Sequence, residues 1–398
     1  MEWKMVRLKD LGDIITGNTP PTKEKSYYDS KDVMFIKPDD LVENKVNLID
    51  TSNIYISKEA TQKSRFVPKE TLLVSCIGTI GKVAILKEDA CFNQQINAII
   101  CDNKIINNLY LAFYFLKANN YLKKIANAAV VPIINKTNFG NIEIPTPPLH
   151  IQEKIAAILN KASSIIDKRK KQIQELNELS QCIFIKMFGD PVKNPLGWEC
   201  KKLNTVICKI EAGWSCEGDQ RQRKPDELSI LKISSVTKGY FDENEYKVLK
   251  NNQEIKKYLT PNKGDLLFSR ANTKELLGAT CIVPKDYPFF LLPDKLWKIS
   301  ANFFINNITL KYMLSQDSIR NQISDLSTGT SGSMYNISMD KLKEITITVP
   351  PNAIQLTFAS IIEKIENYQS HLSSSLLELE EYYKSLMQKA FSNELRFA

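Results

Sequence analysis

The sequence predicts an α+β protein built twice over. Two mixed, β-rich globular regions are separated by two long helices that form an antiparallel coiled coil, and the halves make a pseudo-two-fold internal repeat. Three observations carry this. "PPLHIQEKIAAILNKASSIIDK" at Pro147 is answered by "PPNAIQLTFASIIEKIENYQSH" at Pro350, each with a glutamine five residues after its first proline. Apolar residues beyond both Pro-Pro pairs alternate by four and three over many turns. The stretches before them share short β-rich runs in the same order. Repetition on this scale decides the architecture before any single residue is read.

At 398 residues the chain is long enough for two or three domains, each with its own core. Its 43% hydrophobic and 25% charged content is ordinary for a globular protein. No apolar run approaches the roughly 18 residues of a membrane span. "MEWKMVRLKD" lacks the apolar stretch of a signal peptide, so a cytoplasmic protein is expected. The eight cysteines include no C-x-x-C pair, and His150 and His371 are the only histidines. That is poor material for a metal site or for His-based acid–base catalysis, and it fits free thiols in a reducing compartment. A net charge of +8 fits attraction to nucleic-acid phosphate but does not single it out.

In the first globular region, "TLLVSCIG", "KVAIL" and "INAIIC" read as strands bounded by Gly, Asn and Asp. "ETLLVSCIGTIGKVAIL" (70–86) corresponds to "GDLLFSRANTKELLGATCIV" (264–283), and "LGDIITGNTP" to "VICKIEAGWS". Short helices are expected around 107–126 and 306–323, from "NNLYLAFYFL" and "NNITLKYMLS". "GNIEIPTPP" and "KEITITVPP" then lead into the long helices. A shared scaffold with divergent loops suggests one task performed on two targets. One departure stands out: the second copy has "LLPDKLWKIS" where the first has "FNQQINAII", leaving Asn93, Gln94 and Gln95 without polar counterparts.

The heptad series of the first helix runs through Ile155, Leu159, Ile166, Ile173, Leu176 and Ile183. Moving 203 positions along gives Phe358, Ile362, Gln369, Leu376, Leu379 and Leu386, with Ile365 and Leu372 in the same register, answering to Ala162 and Arg169. Some 36 residues at 1.5 Å each make a rod of about 54 Å, which cannot bury its seam alone. The other copy is the obvious partner, and a pseudo-two-fold would set the pair antiparallel. The alternative packs each helix on its own globular region, so that the two never meet. Arg169 and Gln369 interrupt the seams midway and are candidates for fixing register. "SHLSSS" (370–375) looks polar enough to loosen the second helix.

Taken together, "LGDIITGNTP", "LLVSCIGTIGKVAI" with "FNQQINAI", "IEIPTPPLHIQEKIAAIL" and "KMFGDPVKNPLGW", followed by "LKISSVTKG", "GDLLFSRAN" and "ITVPPNAIQ", resemble the specificity (S) subunit of Type I restriction–modification systems over essentially the whole chain. The resemblance implies a target-recognition domain at 1–147, a conserved long helix at 148–190, a second target-recognition domain at 191–350 and a second conserved helix at 351–398. Each recognition domain would read one half of an asymmetric, bipartite sequence in double-stranded DNA. The helices would set the spacing and bind two methyltransferase (M) subunits, with restriction (R) subunits joining for cleavage. The resemblance places S-adenosylmethionine, ATP and Mg in those partners, and neither a cofactor nor catalysis in this chain.

Arg, Lys, Asn and Gln suit base edges, whereas Ser, Thr and backbone amides suit phosphates. In the first domain the candidates are Thr19, Lys23, Tyr27, Ser75, Thr79, Lys82, Asn93, Gln94, Gln95, Asn135, Lys136 and Asn138. "GTIGK" (78–82) is either a phosphate clamp closed by Lys82 or a tight turn with a surface lysine. In the second domain they are Trp214, Arg221, Arg223, Ser269, Arg270, Asn272, Lys274, Lys295, Thr330 and Ser331, with Arg270 beside Asn272 the strongest base-reading pair by chemistry. "STGTSGS" (327–333) would order on phosphates or stay a plain surface loop. "DKRKK" (167–171) reads as a solvated helix face.

Enzymatic motifs are missing. The chain has no G-x-G-x-x-G, no N/D-P-P-Y/F of adenine methyltransferases and no P-loop spacing. Pro38-Asp39 with Glu43 and Lys45 has a nuclease's letters but too little separation. A stand-alone DNA-binding regulator and a diverged nuclease are the competing classes. The first should lack the duplicated heptads, and the second should cut DNA with Mg²⁺ alone.

Overall fold

The computed structural model describes residues 3–126, 131–250, 254–329, 334–392 and 394–395. The chain forms two compact units: Met1–Gln172 with Leu372–Ala398, and Ile173–His371.

In the first unit, a five-stranded sheet takes the order Gly12–Thr16, Ile96–Cys101, Leu72–Ser75, Val83–Leu86, Val46–Ile49, antiparallel except for the last pair. A smaller sheet orders Tyr55–Ile56, Val33–Ile36, Ala90–Phe92 and Phe66–Val67 around a parallel central pair. The strands are short because their apolar runs are short, and those runs are continuous because both faces of the larger sheet are covered. Leu72, Val74, Val83 and Ile85 face a core shared with the helix Asn108–Lys117 and the long helix. Leu73, Ala84, Leu86 and Ala98 face the smaller sheet instead, against Met34, Ile36 and Phe92. A ladder between Lys4–Arg7 and Glu143–Thr146 ties the ends of the region together just before the long helix begins.

The second unit repeats this plan. Its larger sheet orders Ile207–Ala212, Leu296–Ala301, Leu266–Ser269 and Thr280–Ile282. Its smaller one orders Gly218–Asp219, Tyr246–Leu249, Ser229–Leu231 and Phe290–Leu291, again with one parallel pair. The closing ladder pairs Glu199 with Val349 as the first pairs Lys4 with Thr146. Among the described residues, no strand answers to Val46–Ile49.

The long helices are Leu149–Phe188 and Asn352–Phe391, 40 residues each. They meet in both units, which removes the alternative of separate packing. In the first unit, Ile155, Ala156 and Leu159 share a core with Leu386, Met387, Ala390 and Phe391, and Lys170 reaches Glu380 at 2.7 Å. In the second, Phe184 and Phe188 pack edge-on against Phe358, with Ile362 beside them. Early residues of one helix thus meet late residues of the other in each unit, and the pair is an antiparallel coiled coil.

Every heptad residue is at least half-covered. Ile155, Leu159, Ile166, Phe358, Ile362 and Leu372 are buried, while Ile173, Leu176, Ile183, Ile365, Leu376 and Leu379 are half-buried. Near the end of the first helix, burial moves one position along, to Phe184 and Phe188. An α-helix has 3.6 residues per turn against 3.5 in a heptad, so a strict repeat drifts around the axis.

Two expectations about the helices are corrected. "SHLSSS" does not interrupt the second helix, which is continuous through it with Leu372 buried. Of the two polar seam residues only Gln369 spans the coil, donating to Asn177 Oδ1 at 2.9 Å. Arg169 bonds within its own helix, to Gln172, because its long side chain reaches the next turn more easily than the facing helix.

Candidate nucleic-acid interface

Antiparallel pairing gathers the predicted contact loops at one end of each larger sheet. In the first unit, the registers Thr16↔Asn97 and Ile96↔Ser75 bring together the end of the first strand, the start of the last and the end of the one between. Residues 17–20, 93–95 and 76–82 therefore converge, and a bridge between Ile77 and Ile133 adds the segment leading to Asn135. In the second unit, Ala212↔Trp297 and Ser269↔Leu296 gather 213–216, 293–295 and 270–279 in the same way. A short ladder of Ala271–Asn272 with Tyr335–Asn336 adds the last segment.

The two ends share a set of backbone hydrogen bonds. Asn18 N–H donates to the Phe92 carbonyl at 3.1 Å, and Trp214 N–H donates to the Leu292 carbonyl at 3.0 Å. Cys76 N–H donates to Gln95, and Arg270 N–H to Lys295. The carbonyls of Cys76 and Arg270 accept from Ile134 and Ile337. Just before Asn18 and Trp214 stand Gly17 and Gly213, where a Cβ would run into the carbonyls of Phe92 and Leu292; only glycine lets the chains pass so closely.

This equivalence corrects the expectation that Gln94 and Gln95 lack polar counterparts. Asp294 and Lys295 occupy those places, and the hydroxyl contact of Thr19 on Gln94 at 2.7 Å returns as Ser215 on Asp294. A bulge between Ile207 and Lys209 adds a residue to the second copy, which puts Ser215 one place out of step with Thr19, while Asp294 and Lys295 align with Gln94 and Gln95 directly.

Within the first unit, Lys23, Thr79, Gln94, Asn135, Lys136 and Asn138 are exposed, and Thr19, Tyr27, Lys82 and Gln95 are half-buried. Ser75 and Asn93 are buried. The Ser75 hydroxyl donates to the Thr79 carbonyl and accepts from Lys82 N–H. With Gly78 and Gly81 both at positive φ, "GTIGK" is a tight turn. The Lys82 ammonium donates to the Pro38 carbonyl at 3.0 Å. Asn93 donates to Gln95 Oε1, which orients that amide. Asn135 caps the helix Lys136–Gly140 by accepting from Asn138 N–H. Tyr27 packs against the cluster around Phe35 and Ile56.

In the second unit, Arg270 is held on three sides: Nε donates to the Asp294 carbonyl, and the two terminal nitrogens donate to Asp294 Oδ2 and Asn336 Oδ1. Ser269 is buried, Asn272 and Lys295 are half-buried and Lys274 is exposed. Trp214 is exposed, with the Lys256 ammonium 5.1 Å from its ring centroid. Arg221 grips Glu227 through both terminal nitrogens, and Arg223 lies 4.9 Å from the ring centroid of Phe290. Thr330 and Ser331 lie outside the described residues. The described residues contain no group of three His, Cys, Asp or Glu placed to hold a metal, and no helix long and apolar enough to cross a membrane.

The family model for the Type I restriction modification DNA specificity domain matches the chain twice, over residues 1–178 and 195–381. The chain belongs to this family. Its relatives include the Type I restriction enzyme MjaIX specificity subunit of Methanocaldococcus jannaschii, 25% identical over 99% of this chain and 94% of the relative. The EcoKI specificity subunit of Escherichia coli K12 is 23% identical over 99% and 89%. The fold is that of a Type I S subunit crystal structure from M. genitalium, at a TM-score of 0.59 and 13% identity, covering 100% of this chain and 97% of that one.

The sequence alone does not disclose several side chains that meet at this sheet end of the second unit. Asp294 and Asn336 complete the surroundings of Arg270, yet they lie 24 and 66 residues away from it. Lys256 joins the same sheet end through Trp214, and Lys257 through the Ala212 carbonyl at 2.6 Å. The Lys-Lys pair in "EIKKY" was the available signal; in the first unit the segment before Pro68 meets the sheet end in a similar way, the Lys63 carbonyl accepting from Asn18 Nδ2 at 2.7 Å.

Proposed function

We propose that this chain is the DNA sequence-recognition subunit of a Type I restriction–modification complex. Each globular unit reads one half of an asymmetric, bipartite target in double-stranded DNA, and the long helices set the spacing between the half-sites. The observation that carries this reading is the repeated sheet end: one backbone scaffold, with a shared set of hydrogen bonds, presents Thr19, Gln94 and Gln95 in one unit and Ser215, Asp294 and Lys295 in the other. A scaffold kept twice with different polar side chains fits two readers of different sequences.

Residues 1–147 and 191–350 are the readers, and 148–190 and 351–398 form the helical spacer that docks two methyltransferase subunits. Exposed Gln94, Lys136 and Asn138 suit base edges and phosphates in the first half-site, and Lys274, Lys295 and Trp214 suit the second. Buried Ser75, Asn93 and Ser269 position these loops. Adenine methylation with S-adenosylmethionine belongs to the methyltransferase partners, and ATP- and Mg-dependent cleavage to restriction subunits. The complex works in the cytoplasm, where host DNA lies.

Modified-base sequencing of host DNA with and without this gene tests the proposal. Loss of methyladenine at one gapped, two-part motif is the expected result. Methylation that stays unchanged, in a host where the partner subunits are demonstrably expressed, would overturn it.

A further inference from the structure

An arginine has five N–H donors in a planar fork. The surroundings of Arg270 take three: one on Nε and one on each terminal nitrogen. One N–H remains on each terminal nitrogen, and the side chain keeps 26% of its exposure. Asp294 is itself fixed, since the Ser215 hydroxyl donates to its other carboxylate oxygen. Partial burial alone would raise the Asp294 pKa. The hydrogen bonds from Ser215 and Arg270 outweigh it and hold the carboxyl below its ordinary value, so the pair is ionised at neutral pH. The main chain of Arg270 is pinned on both sides, by Lys295 and Ile337. The plane of the guanidinium is therefore set before any partner arrives.

We propose that Arg270, oriented by Asp294, reads one guanine in the second half-site by donating its two remaining N–H groups to O6 and N7. The inference rests on the second unit being a DNA reader, and it names the base and the residue that positions the reader. In the major groove guanine offers two adjacent acceptors, and a planar fork is the side chain that meets both. Phosphate is the other acceptor available to an arginine on DNA. The Arg270–Asp294 unit is close to neutral, so it has little long-range attraction for a phosphate, while a neutral base edge needs donor geometry rather than net charge. Immobilisation also lowers the entropy lost on contact, which favours an interaction that depends on alignment.

The first unit supplies an internal control. There the position of Arg270 is taken by Cys76, buried in the core, and that of Asp294 by Gln94. The guanine reader is thus confined to one half-site, and Asp294 is a positioning residue for it.

The test uses the full chain expressed with its methyltransferase partners over a plasmid library randomised in both half-sites, read by modified-base sequencing. Wild type should give a two-part motif with a guanine column in the second half. Arg270→Lys, which keeps the charge but loses the fork, should relax that column alone by about ten-fold to a hundred-fold. Asp294→Asn should weaken the same column and leave the others intact, an outcome that a purely structural role would not produce. The pair Arg270→Gln with Asp294→Asn leaves no unpaired carboxylate and serves if either single variant fails to fold. Unchanged columns in the folded variants would overturn the proposal. So would a uniform loss across all sequences with a salt dependence shallower by about one charge, the signature of a phosphate contact. A wild-type library without any two-part motif would instead overturn the recognition function itself.

Discussion

Gln152 accepts the backbone N–H of Asn107 through its side-chain carbonyl at 2.8 Å, and both of its amide hydrogens go to backbone carbonyls, of Ile105 and Pro147. Gln355 repeats all three bonds on Asn306, Phe304 and Pro350. Both glutamines are fully buried. Each clamps the first turn of a long helix to the start of a short one, because Asn107 and Asn306 cap Asn108–Lys117 and Asn307–Leu314. The Pro-Pro-x-x-x-Gln pattern is therefore a joint between the globular region and the coil.

Gln152→Ala should destabilise the chain by about 2–4 kcal/mol, since a buried N–H and two buried carbonyls lose their partner at once. Gln152→Glu should be worse at neutral pH, because both donors are replaced by an acceptor facing the carbonyls of Ile105 and Pro147. Chemical denaturation of the full chain measures both. A midpoint unchanged by Gln152→Ala would mean that water replaces the amide without penalty.

Much of the fold was legible because its signals are local. Heptad spacing from Ile155 to Ile183 needs no knowledge of the partner helix to mark a seam, and "LLV" (72–74) is apolar throughout because Leu72 and Leu73 face two different cores. The glutamine was visible as a letter in both copies, but its role was not, since its three partners come from two segments. The site was legible only as a set of loops. Burial of Ser75 and the three-sided grip on Arg270 depend on strand register and on residues remote in sequence. The bulge after Ile207 moves Ser215 one place out of step with Thr19, so their matching contacts on Asp294 and Gln94 do not show in the aligned letters.

Glu227 should titrate far below an ordinary glutamate. A bidentate hydrogen bond from Arg221, helped by the Lys224 N–H, holds its carboxyl at about 2, against 4.5 for a free side chain. The folded value lies below the unfolded one, so any stabilisation from this pair is complete above about 4.5 and is lost as the pH falls through about 2. A carboxyl-detected NMR titration should show this, and Arg221→Ala should move the midpoint up towards 4.5. An ordinary midpoint in the wild-type chain would show that the pair is open in solution and that Arg221 is available to other partners.

Ile166→Pro should abolish methylation while both globular regions stay folded. Ile166 is buried within a continuous helix, where a proline removes a backbone hydrogen bond and clashes with the preceding turn at a cost of about 3 kcal/mol or more. Ile166 stands outside the residues of its helix that share the strands' cores, which are Ile155, Ala156 and Leu159 in one unit and Phe184 and Phe188 in the other, so hydrogen exchange of Leu72–Ser75 and Leu266–Ser269 should remain slow. Methylation retained with the helix broken would remove the spacer role from the coil.

Gly213→Ala should erase recognition of the second half-site and spare the first. Its new Cβ would meet the carbonyl of Leu292, a backbone group that cannot swing aside as a side chain does. The strand Ile207–Ala212 and the turn before Leu296 must then separate, at about 1–3 kcal/mol. That movement displaces Ser215 from Asp294 while leaving the cores of both units in place. Binding of the assembled complex to duplexes altered in one half-site at a time provides the readout. In the variant, changes to the second half-site should no longer matter, and changes to the first should weaken binding as before. Gly17→Ala should give the mirror-image result, because its Cβ meets Phe92 and Asn93 in the same way. If either glycine variant reads both half-sites normally, the sheet end that Gly17 and Gly213 shape is not the surface that meets DNA.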